Sequence, residues 1–257
     1  EPGKNEVLKS LLDYVAEGKD TQTRHFCFIA LAQIGLRDEH MADHLPTHQA
    51  LLQLFSKEFR KPSVGTNRSW AALAAAIYAR VQRDAERDLV ALIAEAYQSE
   101  KDPSFKSAFA LSLGLLGVSS QAGAIFEDFQ KKAEQDFKGY AAVALGFLNF
   151  TDAAEQLKIV CQQKTITPTY RLQVATGLGL MGDPEAVDVL ITTLESSQTL
   201  GVSSAVAKAL GLIGDSSAID PLKKIATDKS MGDITRAFAC VALGMVCEKT
   251  SLPWNAR

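Results

Sequence analysis

The sequence predicts an all-α fold, a right-handed α-solenoid of about seven antiparallel helix pairs, on three observations. The first is recurrence: Gly114, Gly146, Gly179, Gly211 and Gly244 stand 32 or 33 residues apart, with weaker copies anchored at Ala32 and Ala76. A fixed interval of that size marks stacked supersecondary units, none of which buries its apolar face alone. The second is helical spacing before the anchor, where Val174, Ala175, Leu178 and Met181 share one face. The third is the punctuation Gly182, Asp183, Pro184, repeated as Gly214, Asp215. Glycine ends a helix in left-handed backbone without a side-chain penalty, Asp caps the next helix, and proline suits its first position. Each unit is therefore two helices separated by about three residues, which forces them antiparallel.

The columns extend through the chain. One residue before the anchor stand Leu31, Ala75, Leu113, Leu145, Leu178, Leu210 and Leu243, a repeated core knob. Four before it come Phe28, Ala72, Ala110, Ala142, Ala175, Ala207 and Cys240, mostly small side chains that let neighbouring helices approach. Three after it come Gly35, Ala79, Gly117, Asn149, Gly182, Gly214 and Cys247. Asn149 is the substitution a left-handed position tolerates, while Ala79 and Cys247 depart from it.

Read in order, a capping helix is expected over about residues 5–16, with Val7, Leu8, Leu11, Leu12 and Val15 on one stripe. Repeats follow over about 21–60, 66–100, 104–135, 137–164, 168–198 and 201–229, then a half repeat over 232–257, all in one domain spanning 1–257. In the first repeat LRDEHMADHL (36–45) delays the second helix, expected from Pro46 to Phe59. KPSVGTN (61–67), KDPS (101–104) and ITPT (166–169) read as links. The final copy has a complete first helix, ITRAFACVALGMV, but no second one. Either Leu252, Pro253 and Trp254 fold over the exposed end, or the natural protein continues; an end-to-end contact through this half repeat is the further expectation.

The segment ALGLIGDSSAIDPL (209–222) resembles the short HEAT-like repeats also found in phycobilin lyases, and the resemblance extends over about nine tenths of the chain. It implies Pro221 inside a second helix, kinking it, and second helices lining a concave wall. Their later turns would expose Lys131, Lys132, Lys158, Gln162, Lys223 and Lys224, a surface suited to an acidic partner segment. The plainer reading is that lysines in last turns complement the helix dipole. The function implied is a non-catalytic protein–protein interaction scaffold or adaptor. The alternative is a HEAT-like enzyme or chaperone of the phycobilin-lyase kind with a site near His40 to His48. The iron-binding His-Glu pairs of HEAT-like deoxyhypusine hydroxylases have no counterpart in the chain.

A basic column adds a polar regularity: Arg24, Arg68, Lys106, Lys138, Arg171, Ser203 and Arg236 stand eight before each anchor. Cations near the start of a helix oppose its dipole, so each needs a partner. A ladder to acidic caps or carbonyls of the adjoining repeat competes with an anion-binding stripe, and the ladder is favoured because the column follows the repeat.

Composition limits the remaining classes. Hydrophobic residues make up 47% of the chain and aromatics only 7%, which suits stacked Ala/Leu helices. A net charge of −3, with both signs interspersed, argues against nucleic acid as a partner. Charged residues and glycines interrupt every apolar run, so no membrane insertion is expected and the chain reads as soluble. Cys27, Cys161, Cys240 and Cys247 form no metal-binding spacing; Cys27, Cys240 and Cys247, in columns otherwise small or apolar, read as buried free thiols, favouring a reducing compartment such as the cytoplasm. Beginning at Glu1 without Met, the chain reads as a processed protein, exported or not, or an excised piece. No cofactor and no catalytic constellation are expected. The metal reading rests on His40, His44 and His48 alone, beside Asp38, Glu39 and Asp43, and Pro46 breaks its register; the solvated loop is favoured.

Overall fold

A computed structural model describes residues 2–38, 44–60, 66–80 and 86–248. The described residues are all-α, with no strand, and their helices are as follows. The first six are α1 (Pro2–Glu17), α2 (Thr21–Asp38), α3 (His44–Arg60), α4 (Asn67–Ala79), α5 (Glu86–Ser99) and α6 (Pro103–Leu115). Eight more follow: α7 (Ala122–Lys131), α8 (Gln135–Phe147), α9 (Ala154–Gln162), α10 (Pro168–Met181), α11 (Val187–Ser196), α12 (Leu200–Ile213), α13 (Ile219–Thr227) and α14 (Asp233–Cys247). None is long and apolar enough to cross a membrane.

The turns explain the pairing. Gly117, Gly182 and Gly214 sit at φ of 70°, 65° and 65°, and Asn149, the one described non-glycine with positive φ, at 50°. Four consecutive turns therefore use the left-handed backbone that the column requires. Asp183 Oδ1 then accepts from the Glu185 N–H at 3.0 Å and Asp215 Oδ1 from the Ser217 N–H at 2.7 Å, capping the short 3₁₀ turn that opens each second helix. Pro221 falls in the first turn of α13, where an N–H has little to bond within the helix and its loss is least costly.

The column fails at the first two copies. Gly35 lies inside α2, which runs on to Asp38, and it serves close packing: a Cβ there would meet Leu51 Cδ1 at 2.5 Å and the Tyr78 ring at 2.6 Å. Ala79 ends α4, and the cap residue Arg80 is right-handed. Neither site is a left-handed turn, because a longer link can reverse the chain without one. Residues 39–43, 61–65 and 81–85 lie outside the described set.

Two compact units divide the chain, residues 1–121 and 122–257. In the first, α1 packs on α2, α2 on α4 and α4 on α6, with α3 and α5 alongside. Phe28, Leu31, Phe55, Ala72, Ala75 and Tyr78 are fully or almost fully buried there. In the second, α8, α10, α12 and α14 form one row and α9, α11 and α13 the other. Leu145, Leu178 and Leu210 are fully buried, as are Ala142, Ala175 and Ala207, so both columns fall in the core. A 32-residue offset also appears in contacts: Cys161 Sγ lies 3.4 Å from Thr193 Oγ1, and Gln135 Oε1 accepts from the Thr167 N–H at 2.9 Å.

Candidate partner-binding face

Within the second unit, the solvent side of α9, α11 and α13 presents one residue per turn that packing does not use. The apolar stripes of these helices point inward through Leu157, Leu190 and Leu222, all fully buried. Glu155 and Gln162 of α9, Asp188, Thr192 and Glu195 of α11, and Asp220, Lys223 and Lys224 of α13 are exposed. Ile159, between Glu155 and Gln162, is 48% exposed. Its register could have been read from the sequence, since Leu157, Val160 and Cys161 occupy the inward positions and leave Ile159 outside the stripe.

The lysines of this region carry local counter-charges. Lys131, the last residue of α7, pairs with Glu127 one turn earlier, and Lys223 Nζ lies 3.5 Å from Asp220 Oδ1. Lys132 sits 5.5 Å from the centre of the Phe137 ring. Lys158 is the most enclosed, its side chain 11% exposed, with Nζ 3.1 Å from Glu155, 3.2 Å from Glu185 and 3.7 Å from Asp183. Burial pulls its ammonium down, but hydrogen bonds to Glu155 and Glu185 and the charge of Asp183 outweigh that and raise it above the usual lysine value. Its place facing the next repeat's cap makes Lys158 a bridge between repeats. Lys224 and Gln162 are exposed.

The basic column resolves into contacts with the end of the preceding helix. Arg24 donates to the Gly18 carbonyl just past α1, Arg171 to the Gln163 carbonyl just past α9, and Arg236 Nε to the Ala226 carbonyl at 3.3 Å near the end of α13. Lys106 lies 4.5 Å from the Tyr97 ring centre and Lys138 5.7 Å from that of Phe129, each ring belonging to the preceding second helix. Arg68 instead faces Phe109 of α6 at 5.5 Å. The acidic caps Asp183 and Asp215 take no part; carbonyls at the negative end of the previous helix dipole and aromatic faces do the work. Arg236 also reaches a carboxylate, Asp233 at 3.4 Å.

Near the start of α8 and the end of α9 lies a cavity of about 380 Å³. Gln135, Lys138, Gln156, Gln163 and Tyr170 line it together with Phe129. Tyr170 is buried, its hydroxyl has no hydrogen-bond partner among the described residues, and burial pushes its pKa up to about 12. The sequence alone does not bring this group together, because its members come from four helices and a link.

His40 lies outside the described residues, and His44 opens α3 with its side chain also outside them. His48 Nδ1 hydrogen-bonds the Tyr78 hydroxyl. Among the described residues no group of three metal-ligating side chains occurs. His25 stacks on Trp70 with ring centres 5.1 Å apart, and its Nε2 is 2.7 Å from Thr66 Oγ1. The thiols divide: Cys27 is buried as expected and Cys161 is buried too, whereas Cys240 and Cys247, expected to be buried, are exposed. The column of Cys240 is buried elsewhere because another first helix lies over it, and no helix follows α14 among the described residues; Cys247 stands in the turn column, where Gly117, Asn149 and Gly214 are exposed too.

Residues 167–244 match the family described as HEAT repeats. Among solved structures, the chain is similar to a chain of the complex of CpcE and CpcF of phycocyanin lyase from Nostoc sp. PCC7120, at 15% identity and a TM-score of 0.56. That match covers 93% of this chain and 94% of the other. Human deoxyhypusine hydroxylase, in complex with glycerol, aligns at 14% identity over 95% of this chain and 96% of its own, with a TM-score of 0.36. No curated protein matches the sequence significantly.

Proposed function

We propose that the chain, whose residues 167–244 match HEAT repeats, is a non-catalytic scaffold or adaptor that binds a protein partner along the solvent face of its second helices. The observation that carries this is the row α9, α11, α13, whose outward residues recur in register and include the exposed Ile159. Stacked repeats of this kind present one extended surface, which suits a polypeptide segment better than a small substrate. The proposed contact residues are Lys131, Lys132, Gln162, Lys223 and Lys224, with Ile159 as the apolar anchor among them; Lys158, enclosed by three carboxylates, holds the repeats together beneath them. Mixed charge with lysines held by nearby acids favours a partner of matched, alternating charge over a uniformly acidic one. The similar phycocyanin lyase chain was solved as a complex of two proteins, which supports a protein partner here, and the C-terminal half repeat offers a second, end-to-end contact.

Affinity capture compares the wild-type chain with Lys131→Glu/Lys223→Glu/Lys224→Glu and with Ile159→Asp. The expected result is one polypeptide retained by the wild type and lost from both variants, with melting temperatures within about 2 °C, since exposed substitutions rarely change stability by more than about 0.5 kcal/mol. Undiminished capture by both variants overturns the assignment of this face.

A further inference from the structure

We propose that the cavity beside Tyr170 is a binding site for a small organic carboxylate whose body carries an amide, the chemistry of an N-acylated amino acid or of a polypeptide's C-terminal residue. At about 380 Å³ it falls within the range of small-molecule sites, about 300–1,000 Å³. Among the described residues that line it, Lys138 is the one cation and there is no Asp or Glu. The Lys138 ammonium sits 5.7 Å from the Phe129 ring centre and pairs with no carboxylate among the described residues. Tyr170 is 4% exposed, and its hydroxyl has no partner among the described residues. A buried hydroxyl left unpaired costs stability, and an acceptor entering the cavity supplies what it lacks. Burial raises its pKa, so at neutral pH the group keeps its proton and donates.

The neighbouring repeats show what sets this junction apart. Where the cavity has Gln156, Gln163 and Tyr170, the equivalent positions one repeat on hold Val189, Ser196 and Val202. One repeat earlier Phe137 stands in the place of Tyr170. Phe137 and Val202 are both buried, so the stack closes without a hydroxyl there. The basic column changes as well. Arg171 donates to the Gln163 carbonyl, whereas the shorter Lys138 makes no such bond among the described residues and keeps its charge for the cavity. The glutamines specify the rest of the ligand. Gln135 Oε1 accepts from the Thr167 N–H at 2.9 Å, which leaves its NH2 to donate, and Thr167 Oγ1 accepts from the Tyr170 N–H at 3.2 Å. Gln156 and Gln163 each carry a donor and an acceptor, the complement of an amide. Phe129, Val160 and Ile166 offer apolar contact to a short aliphatic side chain. The carboxylate goes to Lys138 and Tyr170, because a hydrogen bond to an ionised group is about twice as strong as a neutral one.

This site goes beyond the partner-binding face and does not depend on it. The probe is N-acetylleucine, titrated into the full chain by calorimetry, with N-acetylleucinamide as its uncharged counterpart. Saturable binding of the acid is expected with a Kd of about 1 mM or below, as suits so small a ligand, and at least about tenfold weaker binding of the amide. Lys138→Met and Tyr170→Phe should each weaken the acid at least about fivefold. Tyr170→Phe should also leave the melting temperature of the free chain unchanged or raised, because the hydroxyl it removes is unpaired. Lys131→Glu/Lys223→Glu/Lys224→Glu should bind the acid as the wild type does, so that partner capture and acid binding fail separately. N-acetyl-Ala-Ala-Leu distinguishes the sources: affinity equal to that of N-acetylleucine assigns the site to free acids, and binding at least about tenfold tighter assigns it to a polypeptide C-terminus. Absence of saturation by either acid up to about 20 mM, equal binding of the amide, or unchanged affinity in both cavity variants overturns the proposal. So does a lower melting temperature for Tyr170→Phe, which shows the hydroxyl already paired in the free chain.

Discussion

Left-handed backbone is the most demanding single-residue requirement in this chain, and it falls on Gly117, Asn149, Gly182 and Gly214. A β-branched side chain at φ near +65° clashes with its own backbone, so Gly182→Val and Gly214→Val should each cost about 1–3 kcal/mol in urea unfolding. Ala79→Gly should cost about 1 kcal/mol for a different reason, the lower helix propensity of glycine inside the last turn of α4. A pH dependence follows from the caps. The Ser217 side chain and N–H hold the Asp215 carboxyl below its ordinary value. Its stabilising share is therefore present above the unfolded carboxylate pKa, about 3.9, and is lost as pH falls through the lower folded value. Asp215→Asn keeps a cap acceptor but removes the titration. Melting curves from pH 7 down to 2.5 should show a smaller acid loss for that variant than for the wild type.

Helix-on-helix packing turns on the anchor glycines, whose role differs from that of the turn glycines three residues later. Gly146 and Gly179 have ordinary negative φ and are needed because the next helix touches their backbone. Gly179→Ala should lose about 1–3 kcal/mol to overpacking against Ala209. Gly244→Ala meets open space and should be neutral or stabilising by up to about 1 kcal/mol, through helix propensity alone. Denaturant titration of the pair measures the same substitution in a filled and an empty seat, and equal losses would refute the distinction. The basic column belongs at this scale as well. Arg171 ties the start of α10 to the carbonyl end of α9, so Arg171→Ala should lower stability by about 0.3–1 kcal/mol while leaving partner capture intact. Unchanged stability with lost capture would assign the column to binding.

Across the molecule, burial of equivalent columns changes where the row of helices stops. Cys27 and Cys161 are buried, and that burial raises their thiol pKa values, whereas Cys240 and Cys247 are exposed on α14. Thiol-reagent labelling of the native chain should therefore modify two of the four cysteines rapidly and the other two only on unfolding. Mass mapping identifies which; fast labelling of Cys161 would mean that the α9–α11 contact opens readily.

Helix order, the positions of the turns after Leu116, Leu148, Met181 and Ile213, and the identity of the buried columns were all determined by the sequence itself. They depend on interactions within about four residues and on a period that each copy repeats, so local chemistry suffices. The first two copies were less legible, since Gly35 looks like a turn glycine and is a packing glycine; only Leu51 and Tyr78, distant in sequence, reveal that. Tertiary structure alone decided the partners of the basic column, the three carboxylates around Lys158 and the cavity beside Tyr170, because each joins side chains from separate helices. It likewise decided that Cys240 and Gly244 face outward. A repeat writes the same residues into every copy whether or not a neighbour follows, and burial is a property of the neighbour.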